Sequence, residues 1–348
     1  MRVFSEGKQS LPEPNQECLA TGAGCNNPSF TEHNSHLLLQ QTQTLAKMAA
    51  KDNDITHEFR FFRVYKDGTV ELFRPTTEKI QPFDDPATGV RSKDTIISTH
   101  PPVSVRIFLP QITHPTRKLP LLLYVHGGGF CMQSAFSPTY HNHVATIVAE
   151  ANVIAVSVEY GLFPTRPLPA PYEDSWAALQ WVASHAGGNG PETWLNNHAD
   201  LNRVIIAGDS AGGNITHTLV SRVGKSGLPD VKVVGAILVH PFFAGSEDDE
   251  MWLYMFPENE GLDDPRLKPV AEDLGRLGCE RVLVFAAEKD HLFHAGRNYV
   301  EELKNSGWCG NAELVVNWGL EHCFHLFNPK QEKARELLQK FVSFIQHD

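Results

Sequence analysis

A chain of 348 residues with 41% apolar residues carries enough material for one large core, while a formal net charge of −11 and a pI near 5.8 leave no basic stripe for nucleic acid or an anionic membrane surface. No apolar run approaches the roughly 18 residues a membrane span needs, and no compact apolar segment marks a secretory signal. The six cysteines, Cys18, Cys25, Cys131, Cys279, Cys309 and Cys323, form no Cys-x-x-Cys pair and so read as reduced thiols without a zinc or iron–sulfur site. A cytoplasmic protein acting on small molecules, as monomer or homodimer and without a cofactor, is the expectation.

Residues 1–50 are rich in Gln, Asn, Ser and Thr, with Pro12, Pro14 and Pro28 and few aliphatic anchors before Leu37. This composition predicts a disordered leader, and Glu6, Glu13 and Glu17 argue against a transit peptide. A globular domain is expected over 51–348. Residues 59–65 and 69–73, joined at Lys66-Asp67-Gly68, predict a hairpin. Strand signals follow at 103–109 and 121–125, a helix at 139–150, a strand at 153–158 and a helix at 173–185. The pattern continues with strand 204–207, helix 211–223, strand 233–239 and a helical segment at 251–256. Strand 281–287, helix 294–306, strand 312–316 and an amphipathic helix at 330–346 complete it. Repeated strand–helix units of this length predict an α/β fold, a mostly parallel twisted sheet with helices on both faces.

Two of the strands end in motifs with a chemical reading. The run 119–125 leads into His126-Gly127-Gly128-Gly129-Phe130. When a nucleophile attacks an ester carbonyl, charge builds on oxygen, and backbone N–H groups must approach it with no Cβ in the way. Gly128 and Gly129 supply such donors, Gly127 shapes the turn, and the N–H of Ala211 completes an oxyanion hole. The strand at 204–207 leads into Gly208-Asp209-Ser210-Ala211-Gly212, a frame that presents Ser210 on a tight strand-to-helix turn, as a weak hydroxyl nucleophile requires. Phe130, His126, Asp209 and Phe243 are the expected pocket walls beside these motifs.

A serine nucleophile needs a base and an acid at the carboxyl ends of later strands. The strand at 282–287 ends in Glu288-Lys289-Asp290, and the strand at 314–316 runs into Gly319-Leu320-Glu321-His322. Asp290 is the expected acid and His322 the expected base, with Glu288 as rival acid and His291, His294 and His325 as rival bases. The order serine, aspartate, histidine is that of α/β-hydrolases. Asn214-Ile215-Thr216 matches a glycosylation acceptor but falls one turn into the elbow helix, where it should be inaccessible. Trp176, Trp181 and Phe130 are expected to pack the sheet or line the pocket.

On the segments 64–70, 85–90, 126–130, 171–185, 208–212 and 322–326, the chain resembles the plant carboxylesterases of the hormone-sensitive-lipase branch of the α/β-hydrolases. The resemblance spans roughly residue 59 to the C-terminus. It implies an α/β-hydrolase fold with a small helical cap from about 51–75 and 244–278, catalytic roles for Ser210, Asp290 and His322, and a small-molecule ester substrate. The same family includes 2-hydroxyisoflavanone dehydratases, cyclases of alkaloid pathways, and gibberellin receptors that lack the catalytic histidine; His322 sets this chain apart from the receptors. Where the family reads Arg-Leu-Ala-Pro-Glu-His, this chain reads Gly161-Leu162-Phe163-Pro164-Thr165-Arg166, so that loop is expected to be less tightly held or Arg166 to supply a substitute charge. The segments 244–250 and 270–278 are short for the family, which implies a more open acyl or alcohol pocket, or impaired packing.

Overall fold

The computed structural model describes residues 54–114 and 116–347. The chain divides into two units, Met1–Ile55 and Thr56–Asp348. Only the last two positions of the first unit are described, so the expected disordered leader over 1–50 lies outside the described residues.

The elements run β1 (Ile55–Glu58), β2 (Phe62–Tyr65), β3 (Val70–Leu72), β4 (Arg91–Thr99), β5 (Pro102–Leu109), β6 (Leu119–Val125), α1 (Pro138–Ala151), β7 (Ile154–Glu159), α2 (Ala170–Ala183), α3 (Thr193–His198), β8 (Ala199–Asp209), α4 (Ala211–Ser226) and β9 (Val233–Val239). They continue with α5 (Asp249–Met255), a 3₁₀ turn (Gly261–Asp263), α6 (Ala271–Leu274), β10 (Arg281–Ala287), α7 (Phe293–Asn305), β11 (Asn311–Asn317), α8 (Phe324–Phe327) and α9 (Glu332–Gln346). None of these helices is long and apolar enough to cross a membrane.

The main sheet has the order β11-β10-β9-β8-β6-β7-β5-β4, parallel from β11 to β7 and antiparallel at β5 and β4. All seven residues of β6 are buried, because helices cover both faces of a mainly parallel sheet. The period-2 alternation divides the core. Leu121, Leu123, Ile206 and Leu238 pack with α2, α4 and α7 on one side. Leu122, Tyr124, Ile205 and Ile237 pack with α1 and α9 on the other. Trp176 lies in the first layer with the Arg222 guanidinium 4.4 Å above its ring, and Trp181 meets His185 edge-on, so both tryptophans serve packing.

The expected hairpin forms between β2 and β3, closed by Gly68 N–H on the Tyr65 carbonyl at 2.9 Å and by Thr69 N–H on Asp67 Oδ1 at 2.8 Å. It is shorter than 59–65 and 69–73, and β1 adds a third strand to it. β4 and α3 were not expected from sequence. β4 is an edge strand with alternating exposure and Ile96 71% exposed, so it lacks the apolar run that marks a buried strand. The elbow strand β8 begins earlier than residue 204, its register on β6 shifting between Pro120 and Leu121. The loop at 161–166 is well held. Arg166 pairs with buried Asp174 at 2.9 Å, and Gly161 N–H donates to the same carboxylate at 2.8 Å. The shortened segments keep buried anchors, Asp248 in the first and Leu274 and Leu277 in the second, and beside the first Trp252 is fully buried with its Nε1 donating to the Tyr172 hydroxyl at 3.1 Å.

Candidate active site

The loops after β6, β8, β10 and β11 emerge at the carboxyl edge of the parallel sheet and bring the sequence motifs together. The sharpest of them is the β8–α4 turn. Ser210 has φ 54° and ψ −120°, an unusual conformation for a residue with a Cβ, and its N–H is fixed on the Val239 carbonyl at 2.9 Å. Flanking glycines permit the turn. A Cβ on Gly208 would stand 2.4 Å from the Gly212 carbonyl oxygen, and one on Gly212 would stand 2.1 Å from the Val125 oxygen. Asn214, one turn further, is fully buried and donates to the Phe242 and Arg266 carbonyls, accepting from the Tyr172 hydroxyl; the acceptor motif is inaccessible, as expected.

Ser210 Oγ lies 2.9 Å from His322 Nε2, and His322 Nδ1 lies 2.6 Å from Asp290 Oδ2. An ionised carboxylate only accepts, so Nδ1 carries the proton toward Asp290 and Nε2 is left to accept from the serine hydroxyl. Asp290 is buried; burial alone would raise its carboxyl, but hydrogen bonds from His291 and His322 hold it well below the usual carboxylate range. The loop that carries His322 is tied to the Asp290 loop. Lys289 N–H donates to Leu320 O at 2.9 Å, and Gly319 N–H donates to Glu288 Oε2 at 2.8 Å. Glu288 therefore braces the His322 loop and does not replace Asp290. Of the rival bases, His325 is buried edge-on against His143, His294 lies on α7 against Phe293, and His291 bonds to Asp290 and Asp248.

The glycine loop turns beside the serine. Gly127 N–H donates to the Tyr140 hydroxyl at 2.9 Å, so Gly127 shapes the loop and is not an oxyanion donor. No hydrogen bond to the N–H of Gly128, Gly129 or Ala211 occurs among the described residues, and all three glycine-loop and elbow positions border the cavities at Ser210. Gly128 sits at φ 107°, and its Cβ would stand 2.3 Å from the Met132 carbonyl oxygen. Beneath the loop, Asp209 accepts from the Tyr140 hydroxyl at 2.6 Å and the Tyr124 hydroxyl at 2.8 Å. Burial raises the Asp209 carboxyl, and the two tyrosine hydroxyls lower it.

Two cavities meet at Ser210, of about 360 Å³ and about 540 Å³, sharing Arg60, Phe61, Gly129, Ser210 and His322. The smaller has a charged wall that includes Glu247, Asp248, Lys289 and Glu321. The larger has apolar lining from Phe73, Met132, Leu326 and Phe327, of which Phe73 and Phe327 are exposed. Phe130 lines the smaller cavity and Asp209 the larger. Two expected wall residues do not line either. His126 is fully buried, stacked on Tyr160 at 4.1 Å behind the loop. Phe243 stacks on Tyr299 at 4.7 Å and borders a separate cavity, because successive side chains after β9 face opposite ways and Phe242 takes the position at the site. Arg60, Phe61, Asp248, Tyr124 and Tyr140 had no local motif to mark them. His240, His322 and Cys323 bring nitrogen and sulfur atoms together, but His240 Nδ1 accepts from Cys323 N–H and its Nε2 meets Asn317, so its nitrogens are already engaged.

Residues 122–326 match a family described as having the α/β hydrolase fold. The chain is 44% identical over 301 residues to the probable carboxylesterase 7 of Arabidopsis thaliana, covering 82% of this chain and 96% of that one. It is 41% identical over 306 residues to the 2-hydroxyisoflavanone dehydratase of Glycyrrhiza echinata, covering 81% and 93%. Among solved structures, a thermostable carboxylesterase from a metagenomic library is similar at 28% identity and a TM-score of 0.62, over 74% of this chain and 88% of that one.

Proposed function

The chain belongs to the α/β-hydrolase fold family, among relatives that are plant carboxylesterases, and we propose that it is a serine carboxylesterase working through Ser210, His322 and Asp290. The observation that carries this reading is the continuous hydrogen-bonded line from Asp290 Oδ2 through His322 to Ser210 Oγ, at 2.6 and 2.9 Å. His322 Nε2 takes the hydroxyl proton as Ser210 Oγ attacks the ester carbonyl carbon. The carbonyl oxygen gains the charge and is met by the N–H groups of Gly128, Gly129 and Ala211. The C–O bond to the alcohol breaks, His322 returns the proton to the departing oxygen, and an acyl-Ser210 ester remains. Water deprotonated by the same nitrogen then attacks that acyl group and frees Ser210. Asp290 keeps the proton on Nδ1 and stabilises the imidazolium. In this reading the β1–β3 hairpin region and the segment around α5 act as the cap, since Arg60, Phe61, Asp248 and Met251 wall the smaller cavity.

Hydrolysis of 4-nitrophenyl acetate and butyrate, with labelling by a fluorophosphonate, tests the proposal. Ser210→Ala should lose both turnover and label. Wild-type protein that neither hydrolyses nor labels would refute it. A second reading is favoured by the dehydratase relative: the same oxyanion donors and His322 would serve removal of water from a 2-hydroxyisoflavanone, which is the substrate to assay in that case.

A further inference from the structure

His291 takes no part in the steps above, yet it touches the group that orients them. Its Nδ1 lies 3.1 Å from Asp290 Oδ1 and its Nε2 lies 2.8 Å from Asp248 Oδ2. A neutral imidazole has one N–H and cannot donate to two carboxylates at once; both contacts are hydrogen bonds only when the ring is protonated. Asp248, at the start of α5, is held in turn by Arg60 Nε at 2.9 Å, and Arg60 also pairs with Glu247. A single line therefore runs from Arg60 through Asp248, His291 and Asp290 to His322 and Ser210. The groups facing the ring come from four segments: Arg60 between β1 and β2, Asp248 before α5, Asp290 after β10, and His322 after β11, its ring centroid 5.6 Å away. Glu247, Lys289 and Glu321 stand around the same cavity.

We propose that His291 is a positioning residue for the hydrolysis: it holds Oδ1 of Asp290 against Asp248, leaves Oδ2 aimed at His322, and ties that aim to the two segments that wall the smaller cavity. The inference rests on the Ser210–His322–Asp290 reading. Burial would lower the basicity of the ring, but hydrogen bonds to Asp248 and Asp290 raise it to about 9. Its folded value thus lies above its ordinary one, so the link is complete at neutral pH and is lost as pH rises through about 9. Leu292 N–H also donates to Asp290 Oδ1, at 2.9 Å, so the carboxylate keeps one anchor without His291 and the loss is partial.

The test uses the full-length chain, with kcat and KM for 4-nitrophenyl butyrate followed from neutral pH into the alkaline range for wild type, His291→Gln, Asp248→Asn and the double variant. Alongside, the downfield proton resonance of His322 Nδ1–H is recorded by NMR over the same range. His291→Gln should lower kcat on the order of tenfold while KM changes little, the scale expected of a slightly misaimed catalytic group. Wild-type kcat should fall through pH about 9, with a parallel shift of the His322 resonance. Both changes should vanish in His291→Gln and move to lower pH in Asp248→Asn, and the double variant should be no worse than His291→Gln. Wild-type kcat, alkaline limb and resonance in both single variants would overturn the inference while leaving the esterase intact. Asp248→Asn keeps the test decisive if His291→Gln fails to fold. If wild type turned over no ester, the esterase reading would fall, and the resonance alone would still report whether His291 reaches His322.

Discussion

Tyr140 holds the glycine loop to the serine turn through one oxygen atom, and Tyr140→Phe removes that oxygen with little change of shape. Its hydroxyl accepts from Gly127 N–H at 2.9 Å and donates to Asp209 Oδ2 at 2.6 Å, and the whole arrangement is buried. The variant would leave a buried backbone N–H without a partner and deprive a buried carboxylate of one of its two tyrosine donors. Each loss costs about 1–3 kcal/mol, so their sum is about 2–6 kcal/mol. For a domain of this size each kcal/mol lowers Tm by roughly 2–4 °C, giving a drop of roughly 4–24 °C by calorimetry. The Asp209 carboxyl, raised by burial and lowered by the tyrosine hydroxyls, should move further up and become easier to protonate. Because Gly128 and Gly129 follow Gly127 directly, kcat for 4-nitrophenyl butyrate should fall roughly tenfold or more with loss of loop alignment. A Tm within about 1 °C of wild type together with kcat within about twofold would refute the claim that this oxygen anchors the loop.

Gly128→Ala places a Cβ 2.3 Å from a backbone oxygen at Met132, so the loop must shift; kcat should drop about 10²–10³-fold, the cost of a lost oxyanion donor, with a smaller change in KM. Gly224→Ala tests packing away from the site: its Cβ would stand 1.6 Å from the Arg276 carbonyl oxygen, so a loss of about 1–3 kcal/mol is expected in thermal unfolding, with kcat of the folded protein preserved. Asp290→Asn should lower kcat by about 10⁴-fold through the wrong imidazole tautomer. Since the Asp290 carboxyl is depressed in the folded chain, its stabilisation is complete above its ordinary value of 3.8 and is lost as pH falls below that. The Tm gap between wild type and Asp290→Asn should therefore narrow in acid; a gap that widens there would contradict the depressed carboxyl.

β9 and β10 lie where their apolar runs put them, at Val233–Val239 and Arg281–Ala287, because strands buried on both faces have no polar alternation to blur their ends. β4 has no such run, since an edge strand carries polar residues outward. The convergence of Ser210, Asp290 and His322 was legible because each follows the end of a strand and the chain order limits the choices. Parity after β9 was not legible, and one step separates Phe242, at the site, from Phe243, behind it. Nor were Tyr140 and Tyr124, which meet Asp209 across 69 and 85 residues of chain. His291 sits in the right loop for a base, but its two carboxylate partners, one of them 43 residues upstream, give it a different place.

Ser210 stands where two cavities join, and each has walls of its own from separate stretches of chain. Phe73, Met132 and Phe327 shape only the larger, while Met251, Lys289 and Leu292 shape only the smaller. Substitutions in one set can reshape one cavity while leaving the other set of walls unchanged. Under the esterase reading, with one half of the ester in each cavity, preference for the acid and preference for the alcohol would be separately heritable traits, and a duplicated copy of such a chain would reach a new substrate by changing one half at a time.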